Sequence, residues 1–257
     1  MSTYKTIDDM QVTGKTVLVR CDFNVPMKDG AITDTSRIER SLSTLAELSK
    51  KGARVVVLSH FGRPGGHPVV EMSLRPIAVA LGKAMNTNVA FASDCVGPAA
   101  SSLIAKMKNG DVAVLENLRF HKYEEANDTK FAGQLAALGD IYINDAFSCS
   151  HRAHASTEAI AKNLPSAAGR LMKAELDALS KALESPQHPV AALVGGAKIS
   201  TKMNVLGNLV DKSDVVIIGG AMANTFLLAQ GINVGKSLCE PHMAKQALDI
   251  IGRAKKA

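Results

Sequence analysis

Short runs of β-forming residues alternate with longer amphipathic segments from Thr16 onward, and this alternation limits the possible folds more than any other feature. The strand candidates of a first series are Thr16–Arg20, Arg54–Ser59, Asn88–Ala92, Asp111–Glu116 and Ile141–Asn144. Helical spacing is found in Arg37–Lys50, where Thr35 or Ser36 can cap the helix, and in Leu74–Met85, Ala99–Lys108 and Thr129–Leu138. Strands that alternate with helices of this length form βα units around a parallel sheet, so the sequence predicts an α/β fold.

A second, shorter series follows a long helical stretch over Ser166–Leu183 and a break at Pro186 and Pro189. It comprises strand candidates Val190–Val194 and Asp214–Ile218 and helix candidates Lys198–Val210, Ala221–Gln230 and Met243–Ala254. Two strands are too few for an independent sheet layer. We therefore expect two Rossmann-like parallel-sheet domains, residues 1–168 and 186–257, joined by a helix over 169–185, with the second domain incomplete.

Composition narrows the class of protein. The chain has 46% hydrophobic and 21% charged residues, no apolar run long enough to span a membrane and no apolar signal core near Met1. Its four cysteines form no CxxC pair, which favours a reduced, cytoplasmic protein. The net charge is +6, but aromatic residues are 4% and Trp is absent, so a base-stacking nucleic-acid surface is poorly supported. The positive charge more specifically suggests a site for a small anionic substrate, and a solvated basic surface is the alternative.

Polar residues that can bind an anion follow the predicted strands. Arg20, Asp22 and Asn24 leave the end of the first strand with period two, so they point to one side of an extended chain. For Arg20 two roles stay open: contact with a ligand, or bracing of the loops. The residues that follow in later loops are His60, Arg63, Arg119, Arg152 and His154, and Arg37 opens the first long helix. Because ligands bind beyond the carboxyl ends of parallel strands, we expect these loops to meet at one edge. Arginine suits a phosphate or carboxylate, since it offers bidentate contacts.

Each of these residues has a plainer interpretation. A single arginine after a strand is more often a surface residue, and the loop around His60 and Arg63 could be an ordinary Gly/Pro turn. A metal site built from His151 and His154 is weakly supported, because the pair lacks the helical HExxH context. The coincidence of four such loops at one sheet edge favours a binding site.

Two Gly-Gly pairs follow the strands of the second series, and two lysines follow the first pair. The residues are Gly195, Gly196, Lys198, Lys202, Gly219 and Gly220. A helix that begins at Lys198 would direct free N–H groups and its positive dipole end at a phosphate. Neither turn fits the Walker pattern, and a single Gly-Gly turn is more often only a tight turn. Their repetition in successive βα units leaves both interpretations open.

Together these motifs resemble the phosphoglycerate kinase family. The resemblance rests on VRCDFNVP (19–26), SRIE (36–39), SHFGRP (59–64), ENLRF (116–120), DAF…HRAHAS (145–156), LVGGAKIS.K (193–202) and IGGAMANTF (218–226), in the order of that family. It covers essentially the whole chain and is specific as a set. It implies two α/β domains that face across a cleft, with 3-phosphoglycerate bound by 1–168, a hinge helix in 169–185 and the nucleotide bound by 186–257.

The resemblance also implies an activity and site residues. The family is a phosphotransferase with a carboxyl group as acceptor: it transfers a phosphoryl group between 1,3-bisphosphoglycerate and ADP, giving 3-phosphoglycerate and ATP, with Mg²⁺, in glycolysis and gluconeogenesis. By residue-wise resemblance the substrate residues are Asp22, Asn24, Arg37, His60, Arg63, Arg119 and Arg152. The nucleotide residues are Gly195, Gly196, Lys198, Lys202, Gly219 and Gly220. Arg37 and Lys198 would act on the transferred phosphoryl group, no residue of this chain is assigned to the metal, and a monomer without nucleic-acid or membrane partners is expected.

The chain departs from the family pattern in three places and in length. Ser148-Cys149-Ser150 stands where the family usually has Gly-Thr-Ala, Ala221 where a third glycine is expected, and Asn224 where an aromatic residue is usual. Family members continue well past residue 257, so we expect a truncated nucleotide domain and negligible turnover from this chain alone.

Three functional hypotheses remain at this point. The first is the kinase, of which this chain is an N-terminal portion. The second is a catalytically incompetent module that binds 3-phosphoglycerate, and the third and weakest is a basic nucleic-acid-associated protein.

Overall fold

A computed structural model describes residues 4–184 and 186–256. The chain divides into two compact units, Met1–Leu176 and Asp177–Ala257. The strands of the first unit are β1 (Thr16–Arg20), β2 (Met27–Lys28), β3 (Ala31–Ile32), β4 (Arg54–Leu58), β5 (Val89–Phe91), β6 (Val112–Val114), β7 (Ile141–Asn144) and β8 (Ser166–Ala168). Its helices are α1 (Ser36–Lys50), α2 (Arg75–Met85), α3 (Gly97–Ile104), α4 (Thr129–Ala136) and α5 (Arg170–Leu183), and the boundary between the units falls inside α5. Each of the three predicted segments, 1–168, 169–185 and 186–257, ends or begins with residues outside the described part of the chain. These are residues 1–3, 185 and 257. The functional assignment of those segments stays a prediction.

Six strands of the first unit form one sheet in the order β5-β6-β4-β1-β7-β8, and every pairing within it is parallel. The α/β prediction is therefore confirmed. β1 lies between β4 and β7 and is buried along its whole length. Val17 and Val19 pack into the core on one face of the sheet, and Leu18 packs into the core on the other. Burial on both faces explains why the strand reads as a continuous apolar run.

The helix predictions hold best where an apolar stripe faces the sheet. In α1, Ile38, Leu45 and Leu48 are fully buried. The capping expectation for this helix was wrong in detail: Thr35 occupies the N-cap position without a side-chain cap bond. Instead, Asp34 Oδ1 accepts a hydrogen bond from the backbone N–H of Ser36 at 2.8 Å.

Two predicted helices begin later than expected. The stretch over Ser166–Leu183 starts as strand β8, because Ser166 to Ala168 pair with β7 and so complete the sheet. The helix predicted from Lys198 begins at Met203. The intervening turn is tied down at Ser200, whose backbone N–H and hydroxyl both donate to the Glu240 carboxylate, at 3.1 and 2.7 Å.

The second unit is a two-stranded parallel sheet with helices. Its elements are β9 (Ala191–Gly195), β10 (Val215–Gly219), α6 (Met203–Val210), α7 (Ala221–Ala229) and α8 (Ala244–Ala254). Val194, Val216 and Ile218 pack against the helix core, whereas the alternate side chains are exposed, with Leu193 75% and Ile217 49% accessible. One face of this small sheet is therefore not covered by the described residues.

Asp145 fixes the start of α5. It follows β7, is fully buried, and its Oδ1 accepts hydrogen bonds from the backbone N–H groups of Leu171 (2.9 Å) and Met172 (3.2 Å). A Cβ on Gly169 would lie 2.1 Å from the same oxygen, so only glycine fits between β8 and the helix. Burial raises the pKa of Asp145 to about 6 despite these hydrogen bonds.

In the part of the chain that the structure describes, no helix combines the length and apolar character needed to cross a bilayer.

The open face of the second sheet leads to a prediction about local stability. We expect the amides of β9 and β10 to exchange with deuterium faster than those of β1 and β4, because fewer apolar contacts oppose their local opening. Hydrogen exchange measured by mass spectrometry on the intact chain compares these strands directly. Uniform protection across residues 10–250 would contradict the prediction.

The raised pKa of Asp145 leads to a second prediction. A carboxyl with a folded pKa near 6, against an ordinary 3.8, stabilises the fold below about pH 4, and this contribution is lost as pH rises through 6. Asp145→Asn keeps an acceptor for the two N–H groups but cannot ionise. Between about pH 4.5 and 7.5, the free energy of unfolding of the variant relative to the wild type should improve by about 2 kcal/mol.

Urea unfolding at several pH values measures this difference. Asp128→Asn is the matched control, because Asp128 also accepts a hydrogen bond from a helix N-terminus, the N–H of Phe131 at 2.8 Å, but is only half-buried. The control should show the smaller change with pH. Parallel pH curves for Asp145→Asn and the wild type would show that the buried carboxyl does not disfavour its charged form.

Candidate functional site

Hydrogen bonds join the loops that follow β1, β4 and β6 at the carboxyl edge of the sheet. The Asn24 side-chain oxygen accepts from the backbone N–H of Gly62 at 2.9 Å, and the Ser59 hydroxyl accepts from the N–H of Phe23 at 2.9 Å. Asn117 side-chain atoms bond to the backbone of Phe61, donating to its carbonyl at 2.7 Å and accepting from its N–H at 3.2 Å. The predicted meeting of these loops at one edge is observed.

Asp22 is the point where the first of these loops meets α1 and the loop after β7. It forms an ion pair with Arg37, and its Oδ2 accepts from the Ser148 hydroxyl at 2.5 Å. Its Oδ1 accepts from the backbone N–H of Asn24 at 3.1 Å. Burial alone would raise the pKa of Asp22, but the hydrogen bond from Ser148, the backbone bond and nearby positive charge together lower it. Asp22 is therefore a carboxylate at neutral pH, and Arg37 is held beside it.

His60 lies near this carboxylate. One of its ring nitrogens is within 4.8 Å of both a carboxylate oxygen of Asp22 and Sγ of Cys149, and these two atoms are equally close to each other. His60 is 3% exposed, and its Nδ1 lies 3.1 Å from Nη2 of Arg20. Burial first, then the charges of Arg20 and Arg119, lower the pKa of His60 to about 3. The imidazole is therefore neutral at physiological pH.

Arg119 is the most deeply placed of the predicted anion-binding arginines, with a side chain 7% exposed. Its Nη1 donates to the carbonyl of Gly62 at 2.8 Å, and its Nη2 lies 3.1 Å from Glu125 Oε1. Its Nε is buried and has no hydrogen-bond partner among the described residues. Burial also lowers the pKa of Arg119, although the nearby Glu125 carboxylate acts in the opposite direction. Orphaned buried donors are rare in proteins, so this N–H group indicates a position where a ligand acceptor fits.

For Arg63 and Arg152, no side-chain contact with the other predicted substrate residues is found among the described residues. Arg152 is half-buried, and its charge contributes to lowering the pKa of both His60 and Arg119. Arg63 lies exposed in the loop after β4. Of the predicted substrate residues, Asp22, Asn24, Arg37, His60 and Arg119 are directly linked by contacts to one another or to one shared loop. Arg63 stays a prediction from its position in that loop.

A cavity of about 180 Å³ opens beside Asp22 and Arg37. Its polar lining is Asp22, Arg37, Arg40, Ser41, Asp145, Ser148 and Glu175. The cavity therefore connects the candidate site with the carboxylate that starts α5.

In the second unit, the two Gly-Gly turns lie side by side. Gly195 pairs with Gly219 at the ends of β9 and β10, and the carbonyl of Gly196 accepts from the backbone N–H of Met222 at 2.9 Å. Gly220 has φ +67°, and a Cβ there would lie 2.9 Å from the carbonyl oxygen of Gly196. The two turns approach so closely that a side chain at Gly220 would collide with backbone.

Lys198 and Lys202 lie outside the helix in which they were expected. Lys198 is exposed in the turn between β9 and α6, and Lys202 is half-buried at the N-cap position of α6, with its Cε 3.4 Å from the ideal Cβ position of Gly196. Since α6 begins at Met203, neither lysine lies inside the helix that was expected to begin at Lys198. The turn Gly196–Lys202 and the glycine backbone remain the candidate phosphate contacts. Asn224 donates to the carbonyl of Leu238 at 3.0 Å.

Neither cluster of three possible metal ligands among the described residues suits Mg²⁺. Two groups bring three possible ligands together, Asp22 with His60 and Cys149, and Asp94 with Cys95 and His121. Both mix thiol and imidazole with one carboxylate, whereas Mg²⁺ takes oxygen ligands in an octahedral arrangement.

Sequence reasoning missed three residues that build the site. Ser148 donates to Asp22, Asn117 ties the loop after β6 to the loop after β4, and Glu124 accepts from Ser156 beneath them. Asn117 lies inside the ENLRF motif and could have been found there. Ser148 was noted only as a departure from the family pattern. Neither Ser148 nor Glu124 is marked as a site residue by a local pattern, because both act through contacts with residues far along the chain.

Known proteins with the same arrangement were found at the levels of sequence and structure. A family model described as phosphoglycerate kinase matches residues 7–257. Proteins named phosphoglycerate kinase from Rhodospirillum centenum and Sinorhizobium fredii are 61% and 58% identical to this chain. Both alignments cover 98% of this chain and 63% of the relative. The solved structure of phosphoglycerate kinase from Coxiella burnetii superposes with a TM-score of 0.90 at 42% identity, over 98% of this chain and 64% of that one. The chain spans somewhat less than two thirds of the length of these relatives, and it belongs to the phosphoglycerate kinase family.

Proposed function

We propose that this chain carries the 3-phosphoglycerate site and part of the nucleotide site of a phosphoglycerate kinase. The reaction is the reversible transfer of a phosphoryl group from 1,3-bisphosphoglycerate to ADP, giving 3-phosphoglycerate and ATP, in glycolysis and gluconeogenesis. The observation that carries the proposal is the position of Arg37 and His60 beside Asp22, with Arg119 held on the adjoining loop at Gly62. The buried Nε of Arg119 has no hydrogen-bond partner among the described residues.

The chemistry of these groups suits a phosphorylated hydroxy acid. The carboxylate of Asp22 and the amide of Asn24 are acceptors for the hydroxyl group, while Arg63, Arg119 and Arg152 attract the anionic ends. His60 is neutral and adds a hydrogen bond rather than a charge. Two anionic groups on one small molecule would replace the internal carboxylates that pair with Arg37 and Arg119 in the free protein.

Arg37 has a different role in this proposal. Its side chain is 46% exposed, so it can leave Asp22 without moving a packed group. Phosphoryl transfer needs positioning and charge neutralisation more than a covalent nucleophile, and a mobile guanidinium supplies both. The hydroxyl of Ser148 keeps one donor on Asp22 when Arg37 turns away.

The nucleotide is assigned to the two glycine turns of the second unit. The backbone of Gly195, Gly196, Gly219 and Gly220 lets a phosphate or a flat ring come close. Lys198 and Lys202 supply positive charge near the phosphates, and Lys198 is assigned to the transferred group. Mg²⁺ enters the proposal only as part of the bound nucleotide, since neither cluster of three possible ligands suits it, and no step is assigned to it.

The proposal extends to location and assembly. The four cysteines are free thiols, which supports a reducing compartment, and we assign the protein to the cytoplasm as a monomer.

Substrate binding gives the first test. Isothermal titration of the chain with 3-phosphoglycerate should show one site, and Arg119→Ala should weaken the affinity roughly 10- to 100-fold, because it removes charge-assisted hydrogen bonds. Arg75→Ala is the matched control: Arg75 is exposed on α2 and its guanidinium lies over the ring of Phe91, 4.6 Å from its centroid. Equal affinity for all three proteins would refute the assigned site.

Catalysis gives the second test. In the full-length gene product, Arg37→Ala should lower kcat far more than it raises KM for 3-phosphoglycerate, because the interaction forms mainly in the transition state. Arg40→Ala controls for charge, since Arg40 is exposed, lies one turn further along α1 and lines the same cavity. An unchanged kcat with only a raised KM would show that Arg37 binds substrate but does not act on the transferred group.

A further inference from the structure

Arg20 is a fully buried charge next to the candidate substrate site. It is 1% exposed and donates hydrogen bonds from all three of its nitrogen atoms. Nε donates to the Ser156 hydroxyl at 2.8 Å, Nη1 donates to the carbonyl of Cys21, and Nη2 lies 3.1 Å from Nδ1 of His60. Because these partners occupy the guanidinium, Arg20 is not available to bind an anion directly.

The contact with His60 has a definite direction. A guanidinium has five N–H donors and no acceptor, so the only hydrogen bond possible between Nη2 and Nδ1 is one that Nδ1 accepts. A neutral imidazole that accepts at Nδ1 carries its proton on Nε2. We propose that Arg20 is a positioning residue that fixes His60 as the neutral Nε2–H tautomer, which presents a hydrogen-bond donor to the substrate.

Both alternative states of His60 would place a donor against a donor. The Nδ1–H tautomer would direct its N–H group at Nη2, and the imidazolium would add a positive charge 3.1 Å from the guanidinium. The charges that face His60 are Arg20, Arg119 and Arg152, which oppose protonation, and Asp22, which favours it; burial opposes it most strongly. Their balance keeps the ring neutral, in agreement with the direction of the hydrogen bond.

Glu124 supports Arg20 through Ser156. The Ser156 hydroxyl donates to Glu124 Oε1 at 2.5 Å while it accepts from Arg20, and the Ser156 N–H donates to Oε2 at 3.0 Å. The hydroxyl of Tyr142 donates to the Ser156 carbonyl at 2.8 Å. Glu124 is fully buried, so a carboxylate lies within two hydrogen bonds of the guanidinium and offsets the cost of burying its charge.

This arrangement deepens the proposed function and rests on it for the identity of the ligand. A neutral Nε2–H group donates to an anion throughout the physiological pH range, whereas an ordinary histidine would change charge there. Nε2 makes no hydrogen bond within the described part of the chain. His60 would then add no pH dependence to substrate binding between about pH 5 and 8, in contrast to the phosphate group, whose second pKa is near 6, and to Asp145, whose pKa is about 6.

Long-range ¹H–¹⁵N correlation spectra of the labelled, ligand-free chain test the tautomer directly. The chain has seven histidines, and the loss of one signal set in His60→Gln assigns the ring of His60. We expect Nδ1 to show the shift of an unprotonated acceptor, Nε2 that of a protonated nitrogen, and no titration between about pH 5 and 8. A protonated Nδ1, or a midpoint near the ordinary 6.5, would overturn the proposal.

Two variants separate Arg20 from the rest of the buried network. Arg20→Gln combined with Glu124→Gln removes both charges together, so no unpaired buried charge is left. It should release the tautomer preference of His60 and move its pKa from about 3 towards 6.5. Glu124→Gln alone is the matched control: it keeps the contact between Arg20 and His60, and the tautomer should be unchanged. If the double variant does not fold, the wild-type spectra alone decide the question.

Titration with 3-phosphoglycerate completes the test. The double variant should bind roughly tenfold more weakly at about pH 8, where a released His60 is no longer held as an Nε2–H donor. A fixed tautomer together with no binding of 3-phosphoglycerate would refute the proposed function but not this inference. Binding with a freely titrating His60 in the wild type would refute the inference but not the function.

Discussion

β1 is hydrogen-bonded in parallel to β4 on one side and to β7 on the other, with Arg20 paired to Leu58 and Asn144 at the last position. Because the three strands run in the same direction, their carboxyl ends lie at the same edge. The residues that follow them therefore meet without any long connection: Asp22 after β1, His60 after β4, and Asp145 and Ser148 after β7. The chemistry of the candidate site depends on this pairing more than on any single contact within it.

Positive charge gathered at this edge has to be offset in the free protein. Arg37 pairs with Asp22, Arg119 with Glu125, and Arg20 is linked to Glu124 through Ser156. His60 avoids a further charge by staying neutral. An anionic ligand can take the place of the exposed Glu125 and of the half-buried Asp22 as a partner of an arginine, but the buried partner of Arg20 remains. The network thus separates charges that are free to bind from a charge that only orients its neighbour.

The sequence was sufficient for the parts of the fold that depend on local patterns. β1 and β7 were predicted with their observed bounds, because a doubly buried strand is a continuous apolar run. β8 was missed because Ser166, Ala167 and Ala168 have little β-propensity and form a strand only by pairing with β7.

The same division holds for the site. Residue type and strand position were enough to select Asp22, His60 and Arg119 as neighbours. The period-two pattern also placed Arg20 with the ligand-facing residues, but its side chain is enclosed by Ser156, Cys21 and His60. Which arginine faces a ligand and which braces another side chain depends on distant residues, for Arg20 on His60 and Ser156, 40 and 136 positions away, and no local period encodes that.

The loop after β7 connects the candidate site to α5 over a very short stretch of chain. Asp145 holds the first turn of α5 through two backbone N–H groups, and only three residues later Ser148 donates to Asp22. The same turn of α5 is held from outside by Arg170, which pairs with Glu47 and Asp8 and whose backbone N–H donates to Thr44. A shift of this turn must therefore break several buried or paired contacts, or else carry the loop 145–148 with it. Since Ser148 shares Asp22 with Arg37, such a movement would act directly on the guanidinium assigned to the transferred phosphoryl group.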